Sequence, residues 1–237
     1  MCAGLCFVVD VTMKKGEIMK EKIEIRKGSE KAWLVRGANF DEWDIPIIET
    51  AVGTPTSLLP FSKCKKERDF AHWIHFYEQD DKFENLWTNP KGHVEKLKRF
   101  NGIISPDFSI YADYPLAEQV HNKYRNHAVA YWLSTQGIPV IPNVRWSNER
   151  SYDFCFRGIE KNSVVAVGTH GQMKSKANRE LFTRGLPVMI STLSPHTIIV
   201  YGNAPDDVFG KYKTQDMKII VFKSETARYH ERKKGVA

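Results

Sequence analysis

The chain has 237 residues, of which 42% are hydrophobic and 27% charged, a globular balance that excludes a disordered tail or a collagen-like fibre. Thirty-five Lys and Arg against 28 Asp and Glu leave a net charge of +7, which favours a polyanionic partner through direct attraction and counterion release. There is no uninterrupted apolar run of roughly 18 residues, so no membrane-spanning helix is expected, and the four cysteines, Cys2, Cys6, Cys64 and Cys155, do not form two close pairs, so neither a zinc site nor a disulfide framework is expected and a reducing, cytoplasmic setting is.

Three segments are expected: an N-terminal extension with an irregular stretch over 1–70, an α/β core domain over 71–223, and a basic C-terminal tail over 224–237. The apolar start, Met1 to Val11, lacks a basic n-region and carries Asp10, which argues against a signal peptide. Residues 1–30 read as loose or edge structure. Pro46, Pro55 and Pro60 keep helices short over 31–70, and Ile45-Pro46-Ile47-Ile48 reads as loop or edge strand.

Ala71 to Tyr77 reads as a strand, Lys82 to Trp87 and Pro90 to Phe100 as short helices, and Gly102 to Ser105 as a short buried strand. Pro115 to Gln136 has helical spacing of Leu116, Val120, Tyr124, Ala128 and Trp132, with proline in the first turn and Gly137 as the stop. Its polar residues, including Asn122, Lys123, Arg125, Asn126 and His127, read as a solvated face. Ile138 to Trp146 reads as a strand, Ser151 to Phe156 as a helical turn, and Ser163 to Val167 as a strand. A helix over Ser175 to Leu193 is expected to break near Gly185-Leu186-Pro187. Thr197 to Tyr201 and Met217 to Phe222 close the series as strands. Short apolar strands alternating with helices predict an α/β fold: a mostly parallel sheet of four to six strands with helices on both faces.

Ligands of parallel sheets bind beyond the carboxyl ends of the strands, so the residues after each strand are the candidates. Asp107 and Asp113 sit in the polar-aromatic run Pro106 to Pro115 and suit a general base, a metal ligand or a cation stabiliser, with a structural turn as the alternative for Asp107 and helix capping for Asp113. Phe108, Ser109 and Tyr111 share that run. Asn143 and Arg145 alternate onto one face of the next strand; Arg145 needs a carboxylate or phosphate partner, and Trp146 suits base stacking or core. Thr169 and His170 lie between Gly168 and Gly171, where main-chain amides can approach a ligand closely. Asn203 follows Gly202 and could read a base edge. His196 lies at the amino end of its strand and is excluded. Walker, dinucleotide, HExxH, GxSxG and zinc-deaminase motifs are missing, so no cofactor and no metal are expected.

The blocks WIHFY at 73–77, SPDFSIYADYP at 105–115, NKYRN at 122–126, GIPVIPNVRW at 137–146, FCFRGI at 154–159, SVVAV at 163–167 and IIVYG at 198–202 resemble domain-of-unknown-function family 4417, whose members are bacterial and phage proteins. That company implies work on DNA, in replication, modification or defence. The layout is also similar to that of uracil-DNA-glycosylase-like enzymes, which place an acid or amide just after an early strand. The expectation is a DNA glycosylase excising a modified base, with Asp107, Asp113 and His170 as catalytic candidates and the remaining residues named above holding base or DNA. A non-catalytic DNA-binding or replication accessory protein and a metal-dependent nuclease are the alternatives.

Overall fold

A computed structural model describes residues 31–214 and 217–234. The reading of residues 1–30 therefore lies outside the described residues. The elements alternate from β1 (Leu58–Pro60) and β2 (Trp73–His75) through α1 (Glu84–Thr88), α2 (Val94–Leu97) and β3 (Gly102–Ile104) to the long helix α3 (Leu116–Thr135). There follow β4 (Val140–Ile141), α4 (Tyr152–Cys155), β5 (Val164–Gly168), α5 (Lys176–Leu193), β6 (Thr197–Tyr201), α6 (Asp206–Phe209), β7 (Lys218–Phe222) and α7 (Glu225–Lys234).

The protein is an α/β fold with two parallel sheets, ordered β1-β2-β3-β4 and β5-β6-β7. A parallel bridge between Asn143 and Ala166 joins them, through Val144 N–H to Ala166 O at 2.8 Å and Ala166 N–H to Pro142 O at 2.9 Å. The four-stranded and three-stranded sheets thus adjoin, with their strands in chain order. Crossovers of one hand between neighbours in chain order all fall on the same side of a sheet. Helices accordingly cover the outer face rather than both. Ile74, Ile103 and Val140 pack outward with Ala128, Val129 and Leu133 of α3. Val165, Val167, Ile198 and Val200 pack outward with Phe182, Leu186 and Met189 of α5. The inner face packs on itself: Leu58, Trp73, Ile104, Ile141, Val164, Ala166, Ile199 and Tyr201 form a cluster whose buried members are all strand residues. The sheet therefore curls, barrel-like, around its own side chains. Gly102 makes room for this, since a Cβ there would lie 2.6 Å from the Trp73 ring.

Local chemistry sets the ends. Gly137, at φ 83°, follows α3 in the left-handed region that lacks a steric cost only for glycine. Pro115 occupies the N-cap of α3 without any side-chain cap, so Asp113 does not serve as one. α5 runs unbroken through Pro187, where a break was expected, because Phe182, Leu186, Met189 and Leu193 bury one continuous face. β1 was missed, being three residues long and ending in proline. The packed unit also starts earlier than residue 71, since Leu34, Val35 and Ile48 belong to the core of α3. The basic C-terminal segment carries helix α7.

Candidate functional site

The carboxyl ends of β2, β3, β4 and β5 converge on Asp107. Its side chain is 7% exposed. Asn143 Nδ2 donates to Asp107 Oδ1 at 2.7 Å, and Arg145 Nη1 donates to Asp107 Oδ2 at 2.7 Å. The Tyr77 hydroxyl donates to Asn143 Oδ1 at 2.9 Å, which orients the amide so that its NH2 faces the carboxylate. Asn143 N–H is held by Ser105 Oγ at 2.8 Å. Alternation in the extended segment after β4 brings Asn143 and Arg145 to the same side, as the sequence suggested, and Arg145 takes a carboxylate partner.

Burial pushes the Asp107 carboxyl up to about 6, against the opposing pull of Arg145 and the Asn143 hydrogen bond. Burial likewise works against charge on Arg145, but Asp107, Tyr111 and Asp80 outweigh it and hold the guanidinium charged. The Arg145 guanidinium lies 5.3 Å from the Tyr111 ring centre, and its buried Nε has no hydrogen-bond partner among the described residues. Tyr77 is raised well above the ordinary phenol range, chiefly by burial and then by Asp107, so its hydroxyl stays a donor.

A cavity of about 370 Å³ opens over this group, within the roughly 300–1,000 Å³ range of small-molecule sites. Asp107, Arg145, Tyr111, Asp113, Trp146 and Gln172 are among its lining residues, with Leu181 and Phe182 from α5. Gly168 and Gln172 bring the turn after β5 to the same cavity as the aspartate turn. Trp146 lines the cavity while its ring packs 4.8 Å from Phe182 and its Nε1–H donates to Leu181 O at 3.3 Å. Tyr111 and Asp113 are exposed at the rim.

The other candidates lie elsewhere. Phe108 is fully enclosed, 4.8 Å from Phe83 and 3.7 Å from the Arg125 guanidinium, and cannot stack on a ligand. Ser109 is turned to Asp80, donating from Oγ at 2.9 Å and from its main-chain N–H at 3.0 Å. Thr169 is buried and donates to Asn203 O at 2.7 Å, tying the turns after β5 and β6 together. Asn203 is exposed, away from the cavity lining. His170 is exposed with its ring 6.2 Å from Tyr201, also outside the lining. Burial and then Lys174 lower its pKa, which keeps it neutral near pH 7.

Two groups escaped the sequence reading. The polar face of α3 is buried, not solvated: Asn126 and Asn122 clamp the aspartate loop at Phe108 O and Ser109 O, at 3.1 Å and 2.9 Å. Arg125 is anchored by Glu84 at 2.6 Å. His75, in β2, and Tyr77, just after it, lie behind the Asp107 group, which Tyr77 reaches through Asn143. The Tyr77 N–H donates to His75 Nδ1 at 3.2 Å, which leaves the proton on Nε2, an atom without a partner among the described residues. Burial lowers His75 to about 3. Its ring lies 4.3 Å from Tyr201, and Tyr77 stacks on Tyr201 at 4.9 Å. The alternation of Trp73, His75 and Tyr77 toward one face was the available signal.

Among the described residues no group of three or more His, Cys, Asp or Glu is placed to hold a metal ion. Among them, too, no helix is long and apolar enough to cross a membrane.

Comparison with known proteins places these features in a lineage. The family described as "Domain of unknown function (DUF4417)" matches residues 38–223. The Gene 1 protein of Mycobacterium phage L5 is 34% identical over 165 residues, 68% of this chain and 71% of that protein. The Gene 1 protein of Mycobacterium phage D29 is 32% identical over 165 residues, so that match spans 60% of its length. No solved structure matches, and the similarity of layout to uracil-DNA glycosylases finds no support there.

Proposed function

We propose that this chain, which belongs to the DUF4417 family, is a DNA glycosylase-type hydrolase that takes a base, modified in the manner of phage DNA, into the Asp107 cavity. The observation that carries the reading is the Asp107 carboxyl itself. It sits buried at the foot of a cavity of about 370 Å³, poised near pH 6 and oriented through both oxygens by Asn143 and Arg145. The net charge of +7 supports a nucleic-acid substrate, and the phage origin of the two relatives fits a modified-base target.

In this reading the base stacks against Tyr111 and Trp146. The N-glycosidic bond breaks with its electron pair leaving on the base. The sugar becomes oxocarbenium-like, and the ionised Asp107 stabilises that cation and takes a proton from the attacking water as its oxygen bonds to the anomeric carbon. The charged Arg145 guanidinium, on the cavity wall beside Asp107, is the group that would stabilise the departing base. Asp113, at the rim, is available to solvent-side steps; His170 has no place in this scheme.

The test incubates the protein, in EDTA, with phage DNA containing modified cytosines, with uracil DNA and with ordinary duplex. Alkali-labile abasic sites are expected from one of the modified substrates. Asp107→Asn should lower their formation by at least about 100-fold while the fold survives. Normal activity in that variant, or activity abolished by EDTA, overturns the reading.

A non-catalytic nucleic-acid-binding protein is the second reading. It is favoured by the fact that both Asp107 oxygens already have protein partners, as in an ion pair that merely ties β3 to β4. Salt-sensitive binding without products would establish it.

A further inference from the structure

The protein has a second concavity. It is a cleft of about 610 Å³ between the turn after β1 and helices α1 and α2, lined among others by Ser62, Lys65, Lys82, Asn85, His93 and Lys96. Three of its lining residues are lysines and none is a carboxylate. Two neighbouring acids are engaged by the protein: Glu78 accepts from Ser62 at the cleft edge, and Glu67 accepts from the Arg68 and Asp69 amides. Lys65 forms no ion pair among the described residues, and Lys82 has only the adjacent Asp81, at 3.6 Å and half-exposed. Lys96 packs 5.1 Å from the Phe70 ring and donates to Glu67 O at 3.4 Å. Asn85 and Asn89 supply neutral donors along the same wall.

Asp80 links the walls of the two concavities. Asp80, in the 3-10 turn Asp80–Lys82, accepts both the Ser109 N–H and the Ser109 hydroxyl. Lys82 then opens onto the cleft, while Ile110 and Tyr111, just after Ser109, line the Asp107 cavity. An anion with charges repeated along its length can occupy the cleft and extend past this link toward the Asp107 cavity.

We propose that the cleft of Lys65, Lys82 and Lys96 carries the phosphate backbone of the nucleic-acid strand whose base enters the Asp107 cavity. The inference rests on the reading of the substrate as nucleic acid, and deepens it. Concave lining favours a single, bendable strand over a rigid duplex.

The test measures binding of a fluorescent single-stranded deoxyoligonucleotide by anisotropy across a salt series, using the full chain. Lys65→Gln/Lys82→Gln is compared with Lys161→Gln/Lys218→Gln. The control pair removes the same charge at the amino ends of β5 and β7, where Lys161 and Lys218 are exposed. Each lost phosphate contact on a single strand removes about 0.7 from the slope of log affinity against log salt, so the cleft pair should lose about 1.4, and roughly tenfold in affinity at low salt. The control should keep its slope. Equal losses in both variants, or none in the cleft pair, overturn the proposal. So does inorganic phosphate that displaces the strand at matched phosphate concentration, since that marks a small-anion site.

His93 gives a second readout. Burial and then Lys65 lower its pKa in the free protein. Backbone phosphates beside Lys65 should raise it, visible as a shifted imidazole titration by proton NMR. An unmoved titration overturns the proposal. Catalysis and docking fail separately: loss of the glycosylase reading leaves strand binding and its cleft dependence measurable, whereas base release unaffected by the cleft pair sinks the docking surface alone.

Discussion

Asn126 grips Phe108 on both sides of its main chain: its Oδ1 accepts the Phe108 N–H at 2.7 Å, and its Nδ2 donates to the Phe108 carbonyl at 3.1 Å. Asp107 is the preceding residue, so an amide on α3 fixes the backbone that aims the carboxylate. Asn126→Ala leaves a buried donor and acceptor unpaired, at about 1–3 kcal/mol each before relaxation. We expect a lower urea midpoint by that order and, because geometry at Asp107 loosens, a fall in kcat larger than any change in KM. Asn126→Asp keeps an acceptor for the N–H and should recover part of the stability. Equal turnover in the wild type and the alanine variant would show that the clamp serves folding alone.

The Arg145 guanidinium is the strongest influence holding the Asp107 carboxyl down against its burial. An opposite charge at this range lowers a carboxyl by about 1–3 pK units, so Arg145→Gln should raise Asp107 from about 6 by at least one unit. If the ionised carboxylate is the active form, the acid limb of the rate profile moves upward by the same amount. Direct titration of the Asp107 carboxyl by 13C NMR checks the shift without relying on activity. A limb that stays near pH 6 while the NMR value moves would detach Asp107 from the chemistry.

The alternating pattern exposed much of this fold. β5 and β6 are five-residue apolar runs ending in glycine or followed by it, and α3 is bounded by Pro115 and Gly137, so their types and limits are local properties. The Asp107, Asn143 and Arg145 group was legible because residues after parallel strands meet at one edge. The buried face of α3 was not. Asn122, Lys123, Asn126 and His127 are polar, and only the arrival of Ser109, Phe108 and Pro46 from 13 to 81 residues away makes their burial satisfied. Helical periodicity cannot announce partners that distant. The curl of the sheet was hidden for the same reason, since inner and outer faces of these strands are equally apolar.

Gly185 lies where the Trp146 indole crosses α5. A Cβ there would meet Trp146 Nε1 at 2.1 Å, against a ring that is buried and packed on Phe182. Overpacking of this kind costs about 1–3 kcal/mol, somewhat offset by the better helix propensity of alanine. Gly185→Ala should therefore lower the melting temperature and, by pushing Trp146 toward the cavity it lines, weaken whatever occupies that cavity. Trp146 fluorescence reports the displacement directly if the other tryptophans are replaced. A variant as stable as the wild type, with an unshifted emission, would contradict this account of the cavity wall.

Lys123 and His127 form the least ordinary pair in the molecule. Lys123 Nζ donates to His127 Nε2 at 2.6 Å, and His127 Nδ1–H donates to Pro46 O at 3.0 Å, with both residues buried. Burial lowers Lys123 to about 7, and burial followed by Lys123 drives His127 well below the usual imidazole range. The folded chain thus releases the lysine proton near pH 7, whereas the unfolded chain holds it to about 10.5. Between those values the unfolded state binds more protons, so stability rises with pH. Above pH 9 the buried thiols of Cys64 and Cys155, both raised to about 12, act in the opposite sense, because the folded state then holds more protons than the unfolded one. The window that isolates the lysine is therefore pH 7 to 9, and urea midpoints should climb across it. Lys123→Met removes the titrating group and should flatten that climb, even though it leaves His127 Nε2 without a donor and so carries a pH-independent cost of about 1–3 kcal/mol. A wild-type midpoint that is level from pH 7 to 9, or one that climbs identically in Lys123→Met, would mean the ammonium is charged and solvated in the folded protein.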